Sequence, residues 1–301
     1  MVTMIAIGID LGGTRIKAAA INASGNILQS RYYPTYDGDG SVWKQTIAGI
    51  VTDITGNIQE ENFIIGISAP GLPDAGNNTI VCMPGRLQGL EHFNWSSWLG
   101  RPAYVVNDGI AALLGESKYG AAQHKKNVVM LTLGTGVGGA ILIDGKPYQG
   151  AGKKAGHIGH MVVDCNGDSD VAGMPGSLEA CFGSYSVEKR SGGRFKSTRE
   201  LIDAVRQHDA GAKEIWLTSV KHLALALSSV SNILSPDLII LGGGVAEAGE
   251  DLFIPLQKFM NVFEWQPNGE AVEIVKARYG DKAGALGAAC FAMQQHGLQV
   301  I

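Results

Sequence analysis

Two polar residues stand side by side where an apolar strand gives way to a helix. Asn107 and Asp108 follow the apolar residues 104–106, and a helical pattern begins at Ile110. A side chain at this point can accept the first amide hydrogens of the helix as an N-cap. The same position can hold a carboxylate that takes a proton during a reaction. From these residues alone, capping and catalysis are both open.

A glycine turn farther along the chain suggests phosphate binding. Gly134, Thr135 and Gly136 separate the apolar residues 128–133 from the apolar residues 140–143. Glycines let backbone N–H groups converge on an anion, and the threonine hydroxyl adds a donor. The dipeptide Asp-Gly that follows at 144–145 predicts a tight hairpin turn.

This pattern occurs twice. Gly12 falls on Gly134 and Ala18 on Ala140, so that residues 10–22 lie over residues 132–144 at a displacement of 122. A repeat about one domain long suggests a duplicated domain, each half offering a glycine turn to a nucleotide. Chance similarity between two β-hairpins is the alternative.

Other polar residues join these turns as candidates. Asp10 ends an apolar strand beside the first glycine turn, where it could hold a hydrated Mg²⁺ near phosphates or simply cap the turn. His157 and His160 are three apart among glycines, which favours a loop that presents both rings to a polar ligand. Glu179 lies in the first turn of a helix, where it could also complement the helix dipole. Gly242–Gly244 follow a short apolar strand and allow close approach of a nucleotide.

Composition narrows the class of protein. The chain has 301 residues, 45% hydrophobic and 17% charged, enough for two globular domains. A net charge of −4 argues against a nucleic-acid partner. Four scattered cysteines without a C-x-x-C pair indicate reduced thiols. We see no signal peptide and no apolar run long enough to span a membrane, and we expect a cytoplasmic protein.

Several motifs together resemble those of the ROK sugar kinases. They are residues 10–17 (DLGGTRIK), 107–108 (ND), 133–139 (LGTGVGG), 156–160 (GHIGH), 176–179 (GSLE) and 241–244 (LGGG). The resemblance implies an α/β, actin-like (ribonuclease H-like), duplicated two-domain fold with an interdomain cleft. A small N-terminal domain would span residues 1–109, with the C-terminal helix at about 284–301 packing back on it, and a large domain would span 110–283.

The resemblance also implies an activity. It is the ATP-dependent transfer of the γ-phosphoryl group to a hexose hydroxyl, typically the 6-OH, with Mg²⁺ as cofactor and Asp108 as the base, by a homodimer. The sugar-binding residues implied are Gly71, Asn107, His157, His160 and Glu179. The ATP-binding residues implied are Gly12, Gly13, Thr14, Lys17, Gly134, Thr135, Gly136, Gly242, Gly243 and Gly244.

Two departures from the family pattern stand out. Many ROK kinases bind a structural zinc through the histidine matched by His160 and three cysteines, whose positions here hold Asp170, Ala172 and Ser177. We therefore expect no zinc site of that kind, and a loop at residues 168–175 that is held by packing or is mobile. His157 stands where the family usually has a sugar-binding glutamate, which leaves the identity of the sugar open.

The same motifs are compatible with other functions. The chain could phosphorylate N-acetylmannosamine or N-acetylglucosamine, or bind sugar as a non-catalytic sensor. The family also contains transcriptional repressors with an added N-terminal helix-turn-helix; because the phosphate motif begins at Asp10, we expect none here.

Overall fold

The computed structural model describes residues 4–12, 15–35, 40–58, 62–83 and 87–298. The chain divides into two compact units. The first comprises residues 1–123, 149–154 and 278–301, and the second comprises residues 124–148 and 155–277. The first unit thus contains residues 110–123 and 149–154, which the sequence-based division assigned to the large domain.

The described residues form the following elements. The strands are β1 (Ile5–Leu11), β2 (Arg15–Asn22), β3 (Ile27–Pro34), β4 (Phe63–Ala69), β5 (Leu72–Pro73), β6 (Ile80–Cys82), β7 (Ala103–Asn107), β8 (Val128–Leu133), β9 (Val137–Ile143), β10 (Lys146–Pro147), β11 (Leu238–Gly242) and β12 (Ile274–Lys276). The α-helices are α1 (Gly40–Ile58), α2 (Trp95–Leu99), α3 (Asp108–Tyr119), α4 (Leu178–Phe182), α5 (Val187–Arg190), α6 (Thr198–Arg206), α7 (Ala210–Leu234), α8 (Glu250–Phe263) and α9 (Ala283–Gln295). None of the described helices combines the length and the apolar character that crossing a membrane requires.

The two large sheets have the same topology. Their strand orders are β3-β2-β1-β4-β7 and β10-β9-β8-β11-β12. In each sheet the first three strands are antiparallel, and the remaining two run parallel to the central strand. This common order confirms the duplication inferred from the glycine turns.

The pairing registers show that the two glycine hairpins differ in length. Asp10 pairs with Lys17 across β1 and β2, whereas Thr132 pairs with Gly138 across β8 and β9. Lys17 therefore corresponds to Gly138, and the constant displacement of 122 is wrong by one residue beyond the turn. The physical reason is one additional residue in the first turn, which sequence overlay without a gap cannot represent.

In the first unit, the central strands are buried on both faces, which explains their continuous apolar runs. Ile7 and Ile9 face the cluster that contains Trp43 and Ile47 of α1. The opposite face meets α9, whose small residues allow backbone contact. A Cβ built at Gly8 would lie 1.8 Å from the Ala285 carbonyl oxygen. Successive residues of β1 thus pack alternately against α1, which has bulky side chains, and against α9, which has small ones.

In the second unit, α7 supplies the centre of the core. Its buried residues Trp216, Val220, Leu223 and Leu227 belong to one cluster with β8, β11 and α8. Asp209 caps the helix by accepting the Ala212 N–H at 2.8 Å. The predicted Asp-Gly turn is confirmed, because Asp144 and Gly145 have φ of 52° and 75°, both positive as a type I′ turn requires.

Candidate active site

Asn107 takes the capping role that the sequence left open between Asn107 and Asp108. Asn107 is the N-cap of α3, since its side-chain oxygen accepts the N–H groups of Gly109 (3.0 Å) and Ile110 (3.4 Å). Its amide nitrogen donates to the carbonyl oxygen of Gly71 at 3.0 Å. Because Asn107 caps the helix, Asp108 is the first helical residue, and its side chain is exposed at the positive end of the α3 dipole.

Asp10 and Lys17 form an ion pair on β1 and β2. The Asp10 carboxylate accepts a hydrogen bond from Ser68 Oγ at 2.7 Å and one from Lys17 Nζ at 3.2 Å. It packs against Gly284 at the start of α9, where a Cβ would lie 2.7 Å from Asp10 Cγ. A carboxylate has about four acceptor sites, so two remain for the water of a hydrated Mg²⁺. The residues present fit that ion through water.

The first glycine turn is described only in part. Gly12 follows β1, and its carbonyl oxygen accepts a hydrogen bond from Thr35 Oγ1 at 2.8 Å. Gly13 and Thr14, which the resemblance assigns to ATP, lie outside the described residues.

The second glycine turn is fixed from two sides. The carbonyl oxygens of Gly134 and Thr135 accept the N–H groups of Ser184 and Tyr185, each at 3.0 Å. On the other side, Val137 N–H donates to Glu179 Oε2 at 2.8 Å. Hydrogen bonds to neighbouring segments therefore hold the backbone of this turn from both sides.

A cavity of about 640 Å³ opens beside this turn, entirely within the second unit. It is lined by Gly134, Thr135, Ser184, Ser197, Thr198, Arg199, Ile202, Asp203, Arg206, Gly244, Val245, Glu247 and Ala248. Of the three glycines Gly242–Gly244, only Gly244 lines this cavity. Gly242 ends β11, and Gly243 turns the chain at a φ of 84°, where a Cβ would lie 2.4 Å from the Leu133 carbonyl oxygen.

Most of the cavity wall was missed by sequence reasoning. Ile202, Val245 and Ala248 offer an apolar surface of the kind that holds an aromatic base. Ser184 and Thr198 join their hydroxyls at 2.6 Å on another side. These residues come from α6 and short connecting segments, which show ordinary amphipathic patterns and no motif.

His157 and His160 lie on a segment pressed against β9. Ile158–His160 is a short 3₁₀ helix, where the sequence led us to expect a loop. A Cβ at Gly159 would lie 1.9 Å from the Val137 carbonyl oxygen, which explains why glycine is needed there. The two imidazole rings are parallel, with centroids 6.4 Å apart. Both rings are half-buried and thus reach solvent.

Asp170 holds the loop that follows. Its Oδ1 accepts the N–H groups of Ala172 and Met174, each at 2.9 Å, and His160 Nδ1 lies 3.0 Å from its Oδ2. Burial alone would raise the pKa of Asp170, but hydrogen bonds from Met174, Ser177, His160 and Ala172 lower it overall. The sequence led us to expect a loop held by packing or mobile; the structure adds hydrogen bonds to a buried carboxylate, which that expectation did not include. Within the described ranges, no three His, Cys, Asp or Glu side chains are arranged to hold a metal.

Glu179 is placed by the cap of α4. Ser177 is the N-cap, and its Oγ accepts the Ala180 N–H at 3.1 Å. At the other end of the helix, Arg190 donates to the carbonyl oxygens of Phe182 and Gly183. Burial lowers the pKa of Arg190 to about 10, so the guanidinium is still charged at neutral pH. Glu179 therefore sits on a short helix that is fastened at both ends.

A model of the ROK family matches residues 6–295. The chain belongs to the ROK family. Its mixed α/β architecture with two sheets is the actin-like fold of that family, as the comparison with solved structures also shows.

Individual ROK proteins resemble the chain over nearly its whole length. The glucokinase of Thermotoga maritima is 30% identical, covering 97% of this chain and 98% of that protein. An N-acetylmannosamine kinase of Escherichia fergusonii is 28% identical over 96% of this chain and 98% of that protein. The ROK hexokinase of Thermus thermophilus has a TM-score of 0.87 at 28% identity, with 98% and 99% of the two chains covered. A Streptomyces griseus ROK glucokinase, solved with glucose and AMPPNP, has a TM-score of 0.78 at 27% identity, with 96% and 99% covered.

Proposed function

We propose that this protein is an ATP-dependent hexose kinase that transfers the γ-phosphoryl group of ATP to a sugar hydroxyl, the 6-OH by analogy with the family. The observation that supports the proposal is the different placement of two adjacent residues at the start of α3. Asn107 caps the helix, which leaves Asp108 as an exposed carboxylate at the end of β7. Relatives named glucokinase and N-acetylmannosamine kinase support the same class of reaction.

In this proposal the nucleotide binds in the cavity of the second unit. The adenine ring of ATP would contact Ile202, Val245 and Ala248. The phosphates would approach the backbone of Gly134 and Thr135. AMPPNP in the Streptomyces griseus enzyme, which has the same fold, supports ATP as the donor. Gly12, Gly13, Thr14 and Lys17 stay candidates for further phosphate contacts.

Asp108 acts as the base. Its carboxylate accepts the proton of the sugar hydroxyl while that oxygen forms a bond to the γ-phosphorus, and the bond from the γ-phosphorus to the bridging oxygen breaks to leave ADP. Mg²⁺, held through water by Asp10, would neutralise charge on the phosphates when bound. The ion pair with Lys17 keeps the Asp10 carboxylate oriented.

The sugar would be held by the residues that the resemblance to the family implies. We assign its hydroxyls to Asn107 and the adjacent Gly71, and to His157, His160 and Glu179. Asn107 already uses its oxygen and one amide hydrogen within the protein, so it can offer one hydrogen to the sugar. Glucose and N-acetylmannosamine are both substrates of named relatives, and His157 is the residue that we expect to separate them.

Two further properties belong to the proposal. The protein would act as a homodimer, as the family resemblance implies. It would act in the cytoplasm, where ATP is supplied and where its four free cysteines stay reduced.

Substitution of Asp108 by asparagine tests the assignment of the base. Asp108→Asn keeps the size of the side chain and removes its basicity, so turnover should fall by at least about 10²-fold. Sugar affinity, measured by calorimetry, should stay within a few-fold of the wild type. Substantial remaining turnover would overturn the assignment.

A further inference from the structure

Asp170 connects two of the proposed sugar-binding residues. Its side chain is completely buried, whereas the His160 side chain that it contacts is 41% exposed. The Ser177 hydroxyl also interacts with this carboxylate and helps to lower its pKa. Ser177 caps α4, two residues before Glu179. One buried carboxylate therefore contacts both His160 and the helix cap that places Glu179.

The chemistry of the groups fixes the direction of each hydrogen bond. An ionised carboxylate can only accept, so His160 Nδ1, 3.0 Å away, must carry a hydrogen. In the neutral imidazole, Nε2 is then the acceptor. A serine hydroxyl donates one hydrogen while accepting another, which agrees with Ser177 donating to Asp170 and accepting from Ala180.

Two backbone N–H groups occupy the other oxygen of the carboxylate. Asp170 Oδ1 accepts from Ala172 and Met174, each at 2.9 Å. In Asp170→Asn, an amide that keeps these two bonds would turn its NH₂ group toward His160 Nδ1, which would then have to accept a hydrogen bond. The opposite orientation of the amide would bring its NH₂ group against the two backbone N–H groups.

We propose that Asp170 is a positioning residue for sugar recognition, which fixes His160 as the Nδ1-protonated tautomer and holds Glu179 through the Ser177 cap. The proposal deepens the proposed function and rests on it for the role of the sugar. Asp170 and Ser177 would thereby align two groups toward the hydroxyls of a hexose. These groups are the accepting Nε2 atom of His160 and the carboxylate of Glu179.

Kinetics of the full-length protein test the positioning role. Asp170→Asn should raise the KM for the sugar about 10-fold or more, with kcat changed much less and the KM for ATP unchanged. Asp168→Asn is the matched control, because Asp168 lies in the same loop but pairs with Lys189 on the surface. Its kinetic constants should equal those of the wild type. A sugar KM within 2-fold of wild type in Asp170→Asn would contradict the proposal, as would an equal loss of ATP affinity.

A double-mutant cycle shows whether Asp170 acts through His160. The effects of His160→Gln and Asp170→Asn on sugar affinity should be clearly less than additive when combined. Full additivity would mean that the two residues act independently and would overturn the mechanism.

The ¹⁵N spectrum of the His160 ring provides a test that needs neither substrate nor turnover. In the wild-type protein at alkaline pH, Nδ1 should have the shift of a protonated nitrogen and Nε2 that of an unprotonated one. A protonated Nε2 with a bare Nδ1 would overturn the proposal, even if Asp170→Asn fails to fold. If this tautomer is found but no hexose is bound or phosphorylated, the proposed function fails and the positioning of His160 stands.

Discussion

The backbone of Gly136 lies directly against the carboxylate of Glu179. A Cβ built at residue 136 would be 2.2 Å from Glu179 Oε2, and that same oxygen accepts the Val137 N–H at 2.8 Å. The side chain proposed to bind the sugar thus supports the turn proposed to bind phosphate. Both are in the second unit, and neither can move without disturbing the other.

Gly136→Ala should therefore impair both substrates. The added methyl must displace either Glu179 or the turn, and a displacement of about 1 Å can reduce catalysis by about 10²-fold. We expect kcat/KM to fall by at least about 10-fold for sugar and for ATP alike in steady-state kinetics. Gly49→Ala in α1 is the control, because its Cβ would meet no atom within 4 Å. An unchanged kcat/KM for either substrate would contradict the coupling.

His157→Glu should change which sugars are used. A carboxylate accepts two hydroxyl hydrogen bonds, whereas neutral imidazole accepts one and donates one. We expect the kcat/KM values across a panel of hexoses to shift in favour of glucose, the sugar named for the Thermotoga maritima relative. His157→Gln, which keeps one donor and one acceptor, is the control. If the panel gives the same ratios for His157→Glu as for the wild type, residue 157 does not contact the sugar.

Glu116→Gln should destabilise the first unit. Glu116 is completely buried, and its carboxylate accepts the N–H groups of Ala121 (2.8 Å), Arg278 (3.1 Å) and Tyr279 (2.6 Å). An amide at this position turns one acceptor into a donor that faces another donor, at a cost of about 1–3 kcal/mol.

Differential scanning calorimetry measures this loss. A unit of this size loses roughly 2–4 °C in its midpoint per kcal/mol, so a decrease of about 2–12 °C is expected. Glu188→Gln, at an exposed position in α5, should leave the midpoint within about 1 °C. Equal midpoints for the two variants would show that the Glu116 carboxylate does not stabilise the fold.

How far the sequence determines this structure depends on the kind of feature. The strands that carry the glycine turns and the Asp144–Gly145 turn follow from local patterns, because each depends on neighbours in the chain. The strand register beyond the first glycine turn does not follow from local patterns. That turn has one residue more than the second, so that Lys17 corresponds to Gly138. That difference becomes visible only when the strands are paired.

The site was partly predictable for a similar reason. Motif residues such as Gly134 and Asp108 can be recognised from type and spacing. Ser184 and Ile202 cannot, because the fold brings them to the cavity from elements without a motif. The role of Asp170 was also missed, because it depends on one histidine ten residues earlier and on burial that spacing does not reveal.

Phosphoryl transfer to a sugar is the activity on which every proposed role depends. The deciding measurement is a coupled assay of ADP release by the purified full-length protein, with Mg·ATP and a panel that includes glucose and N-acetylmannosamine. We predict sugar-dependent release of ADP with at least one hexose, and a rate at least about 10²-fold lower with Asp108→Asn. ADP release that is independent of sugar, or no release with any sugar that the protein binds by calorimetry, would contradict the assignment as a hexose kinase.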